Sequence, residues 1–253
     1  MEQEIFAAGK RRGLTRNQIK YLAVLAMTVD HIAWAFVDRR NPLLGGFLHL
    51  FGRLTGPTMA YFVGEGYSYT KNVGKYQLRL ALFALISWVP FVWFEYGVPP
   101  LFWRDGRLLF CPYQSVIFTL FLGLTAIRLW ESEKAGTPLK ILGIFLLCLV
   151  SMVGDWGYVN VLGCLFVHIF REQPKAKWTA FTLTFLLFGV LLNLENGWEN
   201  SWYQLGVLLS PLLLGFCYNG ESGGKSPFCK WFFYAFYPAH LILLGILRWV
   251  VKL

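Results

Sequence analysis

The sequence has 253 residues, of which 56% are hydrophobic, 18% aromatic and only 15% charged, and its mean hydropathy is +0.49. This composition excludes an ordinary water-soluble domain, because a folded chain of this length needs polar side chains to cover its outside. The formal net charge is +9. In a membrane protein, excess Lys and Arg residues are explained first by their role in setting the orientation of the chain, so no nucleic-acid partner is expected.

Apolar windows recur along the chain and are separated by short polar stretches. Their lengths of roughly 15 to 23 residues fit membrane-spanning helices, and they lack the apolar–polar alternation of barrel strands. The sequence therefore predicts an all-α, polytopic transmembrane helix bundle of about nine spans, forming one domain over residues 1–253. The windows are 19–37, 44–66, 79–96, 114–130, 139–153, 156–170, 178–194, 202–218 and 231–251. The short fifth and sixth windows leave a single re-entrant hairpin open as an alternative.

The distribution of charge predicts the orientation of the chain in the membrane, and the spacing of the cysteines indicates whether a metal site is expected. The segment 1–18 is polar and basic, and the apolar window after it lacks the small-residue cleavage site of a signal peptide. A cytoplasmic N-terminus places sixteen Lys and Arg residues inside and six outside, so this orientation is predicted. The five cysteines show no metal-binding spacing; they are interpreted as packing residues, and no metal is expected.

The first window carries polar residues at membrane depth. Lys20 and His31 are eleven residues apart, which places them within about 20° on one helix face and about 16 Å apart along the axis. Lys20 at the cytoplasmic surface is thus predicted to share a groove with His31 near the bilayer midplane. Asp30 needs a partner at that depth, and Arg53, roughly 14 Å into the second window, reaches the same level. We predict an Asp30–Arg53 ion pair.

His240 in the last window also falls near the midplane. Interhelical hydrogen bonding explains His240 or Arg53 as readily as function does. The adjacent pair Asp30 and His31 favours a functional site, because structural cross-linking does not need two neighbouring titratable residues on one helix. His49 and His168 are interpreted as interfacial residues.

A basic ridge is predicted at the cytoplasmic rim. Lys71, Lys75 and Arg79 follow one another at four-residue steps and face the same side as Arg16 and Lys20, so a phosphate-bearing ligand fits there. The positive-inside bias alone is the alternative explanation. A histidine reached from such a basic mouth can act as a general base or transient nucleophile on a group held by a phosphorylated carrier, and coenzyme A has this shape.

Several motifs, in order along nearly the whole chain, resemble the TraX family. They include Met27-x-x-Asp30-His31, Gly52-Arg53, Gly154-Asp155-x-Gly157 and Phe236-Tyr237-Pro238-x-His240. TraX proteins are bacterial inner-membrane proteins whose founding member N-acetylates the N-terminus of conjugative pilin. The spacing from Lys20 to His31 is also similar to a basic-x10-His signature of membrane acyltransferases. Two positions depart from the expected pattern: Gly56 stands where an aromatic residue is expected, and Ser115 where asparagine is expected.

The resemblance implies an acetyltransferase of the cytoplasmic membrane with acetyl-CoA as donor. It implies His31 as catalytic base or acetyl relay, Asp30 and Arg53 as its orienting pair, and His240 as a second site residue. The acceptor is expected to be an extracytoplasmic peptide amine, a glycan or a lipid, and homo-dimerisation is left open. The alternative is a proton-coupled transporter in which Asp30 and His31 relay protons. Transporters commonly show repeated halves, which this sequence does not show convincingly.

Overall fold

The structure, a computed structural model, describes residues 13–224 and 227–251, with the backbone alone for 227–230. Most of this part of the chain is helical. The α-helices are α1 (Arg16–Ile32), α2 (Pro42–Gly52), α3 (Thr55–Tyr69), α4 (Val73–Tyr96), α5 (Val116–Trp130), α6 (Thr137–Ser151), α7 (Gly157–Ile169), α8 (Pro174–Asn196), α9 (Trp198–Ser201), α10 (Leu209–Cys217) and α11 (Pro227–Gly245). π-Helical turns extend α1 over Ala33–Val37 and α11 over Ile246–Val251, and a 3-10 helix spans Trp202–Leu208.

Four helices are long and apolar enough to cross a membrane, and they span Arg16–Val37, Val73–Tyr96, Pro174–Asn196 and Trp231–Val251. Helices α5, α6 and α7 are apolar but shorter. On the long helices α1, α4 and α8, large apolar side chains such as Leu25, Leu85 and Leu187 are more than half exposed, as on a surface that faces lipid. The mainly helical, membrane-type architecture predicted from the sequence is confirmed, while nine spans and a cytoplasmic N-terminus remain predictions.

The second apolar window, predicted as one helix, is two helices. Helix α2 ends at Gly52 and α3 begins at Thr55. Pro57 explains the break, because proline has no N–H and its ring clashes with the carbonyl four residues earlier, which is that of Arg53. The fifth and sixth windows form α6 and α7, joined by a tight turn at residues 152–156.

A β-hairpin between α4 and α5 was not predicted. Strands β1 (Leu101–Arg104) and β2 (Arg107–Phe110) pair antiparallel, with Arg104 opposite Arg107. Asp105 and Gly106 form the turn with φ angles of 52° and 73°. An Asp-Gly pair between apolar residues is a known hairpin signal, so this element was readable from the sequence.

Close packing of α3, α5 and α7 forms the centre of the core. A Cβ added at Gly123 in α5 would meet the Sγ atom of Cys164 in α7, and one added at Gly64 in α3 would meet the Cys164 carbonyl. Small residues allow such close helix contacts in membrane bundles. Cys164 is fully buried and fits the predicted packing role, whereas Cys217 is exposed and the side chain of Cys229 lies outside the described residues.

Replacing Gly206 with Ala is expected to destabilise the fold, because the added Cβ would overlap the backbone carbonyl of Leu50 in α2. Overpacking of this kind typically costs about 1–3 kcal/mol. Gly215→Ala is the matched control, since nothing lies within 4 Å of the Cβ added there. Thermal unfolding in detergent should show a lowered Tm for Gly206→Ala only. Equal Tm values for the two variants would contradict this close contact between the 3-10 helix and α2.

Candidate functional site

Two cavities lie near opposite ends of α1. The first, of about 560 Å³, is lined near the start of α1 by Arg16 and Lys20 and near the start of α4 by Arg79; we call it the basic cavity. The second, of about 410 Å³, is lined by Asp30 and His31 near the end of α1 and by Arg53; we call it the histidine cavity. The two cavities therefore separate the charged residues that the sequence singled out into two groups.

The two midplane histidines are bonded to each other. Nδ1 of His31 lies 2.8 Å from Nε2 of His240, and the rings are stacked with centroids 5.0 Å apart. Both residues are more than nine-tenths buried. The contact joins α1 to α11 and places His240 level with His31, as expected from the sequence.

Hydrogen bonding selects the tautomers of both rings. Nδ1 of His240 lies 3.0 Å from the carbonyl of Phe236, and a carbonyl only accepts, so this nitrogen donates. In a neutral ring, Nε2 of His240 is then an acceptor, and Nδ1 of His31 must donate to it. This leaves Nε2 of neutral His31 unprotonated and able to take a proton, in a ring that lines the histidine cavity.

The predicted Asp30–Arg53 ion pair is present and is part of a larger cluster. Nη2 of Arg53 donates to both carboxylate oxygens of Asp30 at 3.0 and 2.8 Å. Nδ1 of His49 lies 2.8 Å from Asp30, and Nε2 lies 3.1 Å from both oxygens of Asp38. His49 is only 2% exposed and belongs to this buried cluster, whereas its place at the membrane interface stays a prediction. Its position four residues before Arg53, on the same helix face, was a signal for its role in the cluster.

Local backbone features place this cluster. Gly52 lies against the side chain of Asp30, whose atoms occupy the space that a Cβ there would need. Arg53 follows at the break between α2 and α3 and lies over the ring of Trp156, at 5.2 Å. Trp156 has a positive φ of 65°, and its indole occupies the space beside Gly56. The indole of Trp156, from a different segment, thus supplies an aromatic ring beside position 56.

The histidine cavity also contains two further carboxyl groups, those of Glu95 and Asp155. Asp155 lies in the connection between α6 and α7, where burial raises its pKa to about 6 and the nearby Arg53 guanidinium opposes that shift. Nε of Arg53 is buried without a hydrogen-bond partner among the described residues. The cavity therefore has one unused cationic donor and two carboxyl groups for a polar ligand.

The basic cavity has two cations without an ion-pair partner among the described residues. Arg16 donates to Glu65 at 2.7 Å and is thereby partly neutralised. Lys20 forms no ion pair within the described part of the chain, and its Nζ lies 5.6 Å from the rings of Phe62 and Phe233. Nε of Arg79 is buried and has no partner among the described residues. Half-buried cations of this kind favour a ligand with negative charge.

The structure differs from the sequence prediction in three respects. Lys20 and His31 line different cavities and do not share one groove. Lys71 and Lys75 are exposed and are absent from the lining of the basic cavity, to which only Arg79 of the predicted ridge contributes. The ridge is interrupted because α4 begins at Val73, so Lys71 lies before the helix.

Two other expectations concern His31 and metal ions. The hydrogen bond that orients His31 is the one it donates to His240, while Asp30 binds Arg53 and His49. His168, like His49, is buried, and its Nε2 lies 2.7 Å from Glu131. Within residues 13–224 and 227–251, no group of three or more His, Cys, Asp or Glu side chains is arranged to hold a metal ion.

Asp30→Asn is expected to destabilise the protein by about 3–5 kcal/mol, because it leaves the partly buried Arg53 guanidinium without its counter-ion. The double variant Asp30→Asn with Arg53→Gln should recover part of this loss, since no uncompensated charge remains. Asp105→Asn is the control, because the Asp105 side chain is 92% exposed. The measurement is thermal unfolding in detergent, and an unchanged Tm for Asp30→Asn would show that the ion pair does not support the fold.

Comparisons with known proteins identify the family of this chain. A family model described as "TraX protein" matches residues 15–248. The chain is similar to a protein of Dichelobacter nodosus described as "Probable fimbrial assembly protein FimC, serogroup H1", with 32% identity over 234 residues, 90% of this chain and 93% of the relative. No solved structure gives a significant match. The family match includes both cavities and the whole histidine cluster, and the chain belongs to the TraX family.

Proposed function

We propose that this protein is a membrane acetyltransferase that moves an acetyl group from acetyl-CoA in the basic cavity to an acceptor in the histidine cavity. The observation that supports it most is the close approach of the two cavities. On α11, Tyr234 lines the basic cavity and Tyr237 lines the histidine cavity. On α5, Ile117 lines the basic cavity and Val116 lines the histidine cavity. About one helical turn therefore separates a residue of α11 that lines the basic cavity from one that lines the cavity of His31, which is a short extension for a bound ligand.

The basic cavity suits the nucleotide end of the donor. Lys20 and Arg79 supply unpaired positive charge for phosphate groups, and Tyr76 and Tyr234 add aromatic surface beside them. The apolar side chains of Met59, Ile117 and Leu120, at the inner end, suit the uncharged arm that carries the thioester. With the N-terminus in the cytoplasm, this cavity opens toward cytosolic acetyl-CoA.

The histidine cavity suits the acceptor and the proton transfer. Nε2 of His31 is the available base, and the bond from its Nδ1 to His240 holds the ring in the tautomer that this role needs. The same nitrogen is also able to carry the acetyl group transiently. Asp30 and Arg53 contribute a fixed, neutralised charge pair to the wall, and the free Nε of Arg53 is available to a polar acceptor.

The relative's description as a probable fimbrial assembly protein favours a pilin-like peptide as acceptor, acetylated at an amine. A glycan or lipid hydroxyl on the outer side of the cytoplasmic membrane is the other class that the open cavity accommodates. Lys71 and Lys75 keep a supporting role in this proposal, as exposed charges that attract an anionic donor toward the basic cavity.

His31→Ala is expected to abolish acetyl transfer while leaving donor binding intact, because the ring lines the histidine cavity only. Lys20→Ala should weaken donor binding by roughly tenfold or more, as expected for the loss of one charge-assisted bond. Binding and turnover are measured with radiolabelled acetyl-CoA on purified protein in nanodiscs, with a pilin-like peptide and an outer-surface lipid extract as acceptors.

Lys134→Ala is the control for Lys20→Ala, because Lys134 is an exposed lysine in the connection between α5 and α6. Equal donor binding by the wild type, Lys20→Ala and Lys134→Ala would exclude the basic cavity as the donor site. Wild-type protein that neither binds acetyl-CoA nor transfers acetyl to any acceptor tested would contradict the proposed activity as a whole.

Proton-coupled transport is the second candidate, favoured by the chain of titratable groups Asp38, His49 and Asp30. This chain leads from Asp38, whose side chain is 28% exposed, to the histidine cavity. A transporter of this kind should dissipate a pH gradient in proteoliposomes, and His49→Gln should slow it severalfold by interrupting the chain. Proteoliposomes that hold the gradient as well as protein-free liposomes would exclude this candidate.

A further inference from the structure

The hydroxyl of Tyr237 is a buried polar group to which no role has yet been given. Tyr237 is only 4% exposed and lines the histidine cavity. Its hydroxyl has no hydrogen-bond partner among the described residues. Leaving such a group unpaired typically costs about 1–3 kcal/mol, so a buried hydroxyl without a partner requires an explanation. A ligand that accepts a hydrogen bond when it enters the cavity supplies one.

Hydrogen-bond donors at the start of α5 lie beside the hydroxyl. Ser115 and the backbone of Val116 interact with it, at the N-terminus of the 15-residue helix α5, although neither makes a hydrogen bond of good geometry to it. The carboxyl groups of Asp155 and Glu95 also act on the hydroxyl electrostatically. Ser115 is fully buried and caps no backbone N–H of α5. A helix N-terminus carries partial positive charge, and uncapped N–H groups add to it, so the start of α5 favours an acceptor with negative charge beside Tyr237.

The position of Tyr237 relates this group to the base and to the path of the donor. Its ring centroid lies 5.5 Å from that of His240, which holds Nδ1 of His31. Tyr237 and His31 line the same cavity. Tyr234, three residues earlier on α11, lines the basic cavity, so Tyr237 stands at the side from which a thioester would enter.

We propose that the Tyr237 hydroxyl, supported by Ser115 and the N-terminus of α5, forms the oxyanion-binding site for the carbonyl oxygen of the acyl donor. This inference rests on the proposed acetyltransferase function and assigns the group that activates the thioester. The ligand class is the carbonyl oxygen of a thioester, which becomes an anion during transfer.

The step balances with these residues. The acceptor nitrogen attacks the carbonyl carbon and forms the C–N bond, while the C=O π pair moves onto oxygen, where Tyr237 donates its hydrogen bond. Nε2 of His31 takes the proton that the nitrogen loses. The oxyanion then re-forms the C=O bond as the C–S bond breaks, and the departing thiolate receives the proton from His31. Tyr237 remains protonated throughout and acts only as a hydrogen-bond donor.

Tyr237→Phe tests this assignment, because it removes the hydroxyl and keeps the ring. The expected result is a fall in turnover of roughly 100-fold, the usual effect of losing one oxyanion donor, with unchanged binding of coenzyme A, which has no acyl carbonyl. The Tm should not fall, since the hydroxyl has no partner to lose. Tyr158→Phe is the matched control, as Tyr158 is half-buried and is not among the residues that line either cavity.

The outcomes separate this inference from the function on which it rests. If wild-type protein transfers acetyl and Tyr237→Phe transfers it equally well, the oxyanion site is wrong and the proposed function stands. If the Tm of Tyr237→Phe is lower than that of Tyr158→Phe, the hydroxyl is a structural group and the assignment is overturned. Wild-type protein without transfer activity overturns the proposed function, and the oxyanion site with it.

Discussion

The carboxylate of Asp30 determines how the first three helices meet. A charged side chain inside a bilayer costs at least about 2.5–3.5 kcal/mol unless it is compensated, and here Arg53 and His49 provide the compensation. One partner comes from the break after α2 and the other from α2 itself, so α1 cannot rotate without losing both. Because His31 follows Asp30 directly, the same bonds direct its ring toward His240 on α11. The ion pair thus fixes the rotation of α1 and positions His31 indirectly, while the direct hydrogen bond to its ring is made with His240.

Irregular backbone surrounds the histidine cavity. Arg53 lies at the break between α2 and α3, Trp34 lies in the π-helical turn that extends α1, and Asp155 lies in the α6–α7 connection, and all three line this cavity. Interrupted helices are tolerated at membrane depth where the freed polar groups are buried in protein or line a cavity. π-Helical turns are likewise frequent at functional sites. The departures from regular helix therefore coincide with the site.

Helix length and the depth of polar residues were the parts most readable from the sequence. Each predicted window corresponds to a helix or a pair of helices, and counting residues along the helices placed Asp30 with Arg53 and His31 with His240. The division into two cavities was not readable, because it depends on how buried side chains from different helices pack against one another. Residue spacing on one helix predicts which side chains share a face of that helix. It does not predict which side chains of neighbouring helices pack between them.

Trp156 shows how a departure from a family pattern is accommodated. A non-glycine residue with positive φ costs about 1–3 kcal/mol and persists only where its surroundings over-determine it. Here the missing Cβ of Gly56 leaves space for the indole, and the guanidinium of Arg53 lies over its ring. Because a side chain at position 56 would occupy the same space, an aromatic residue there and a tryptophan at position 156 exclude each other. In this chain the indole of Trp156 provides the aromatic face beside Arg53, and its place there depends on the glycine at position 56.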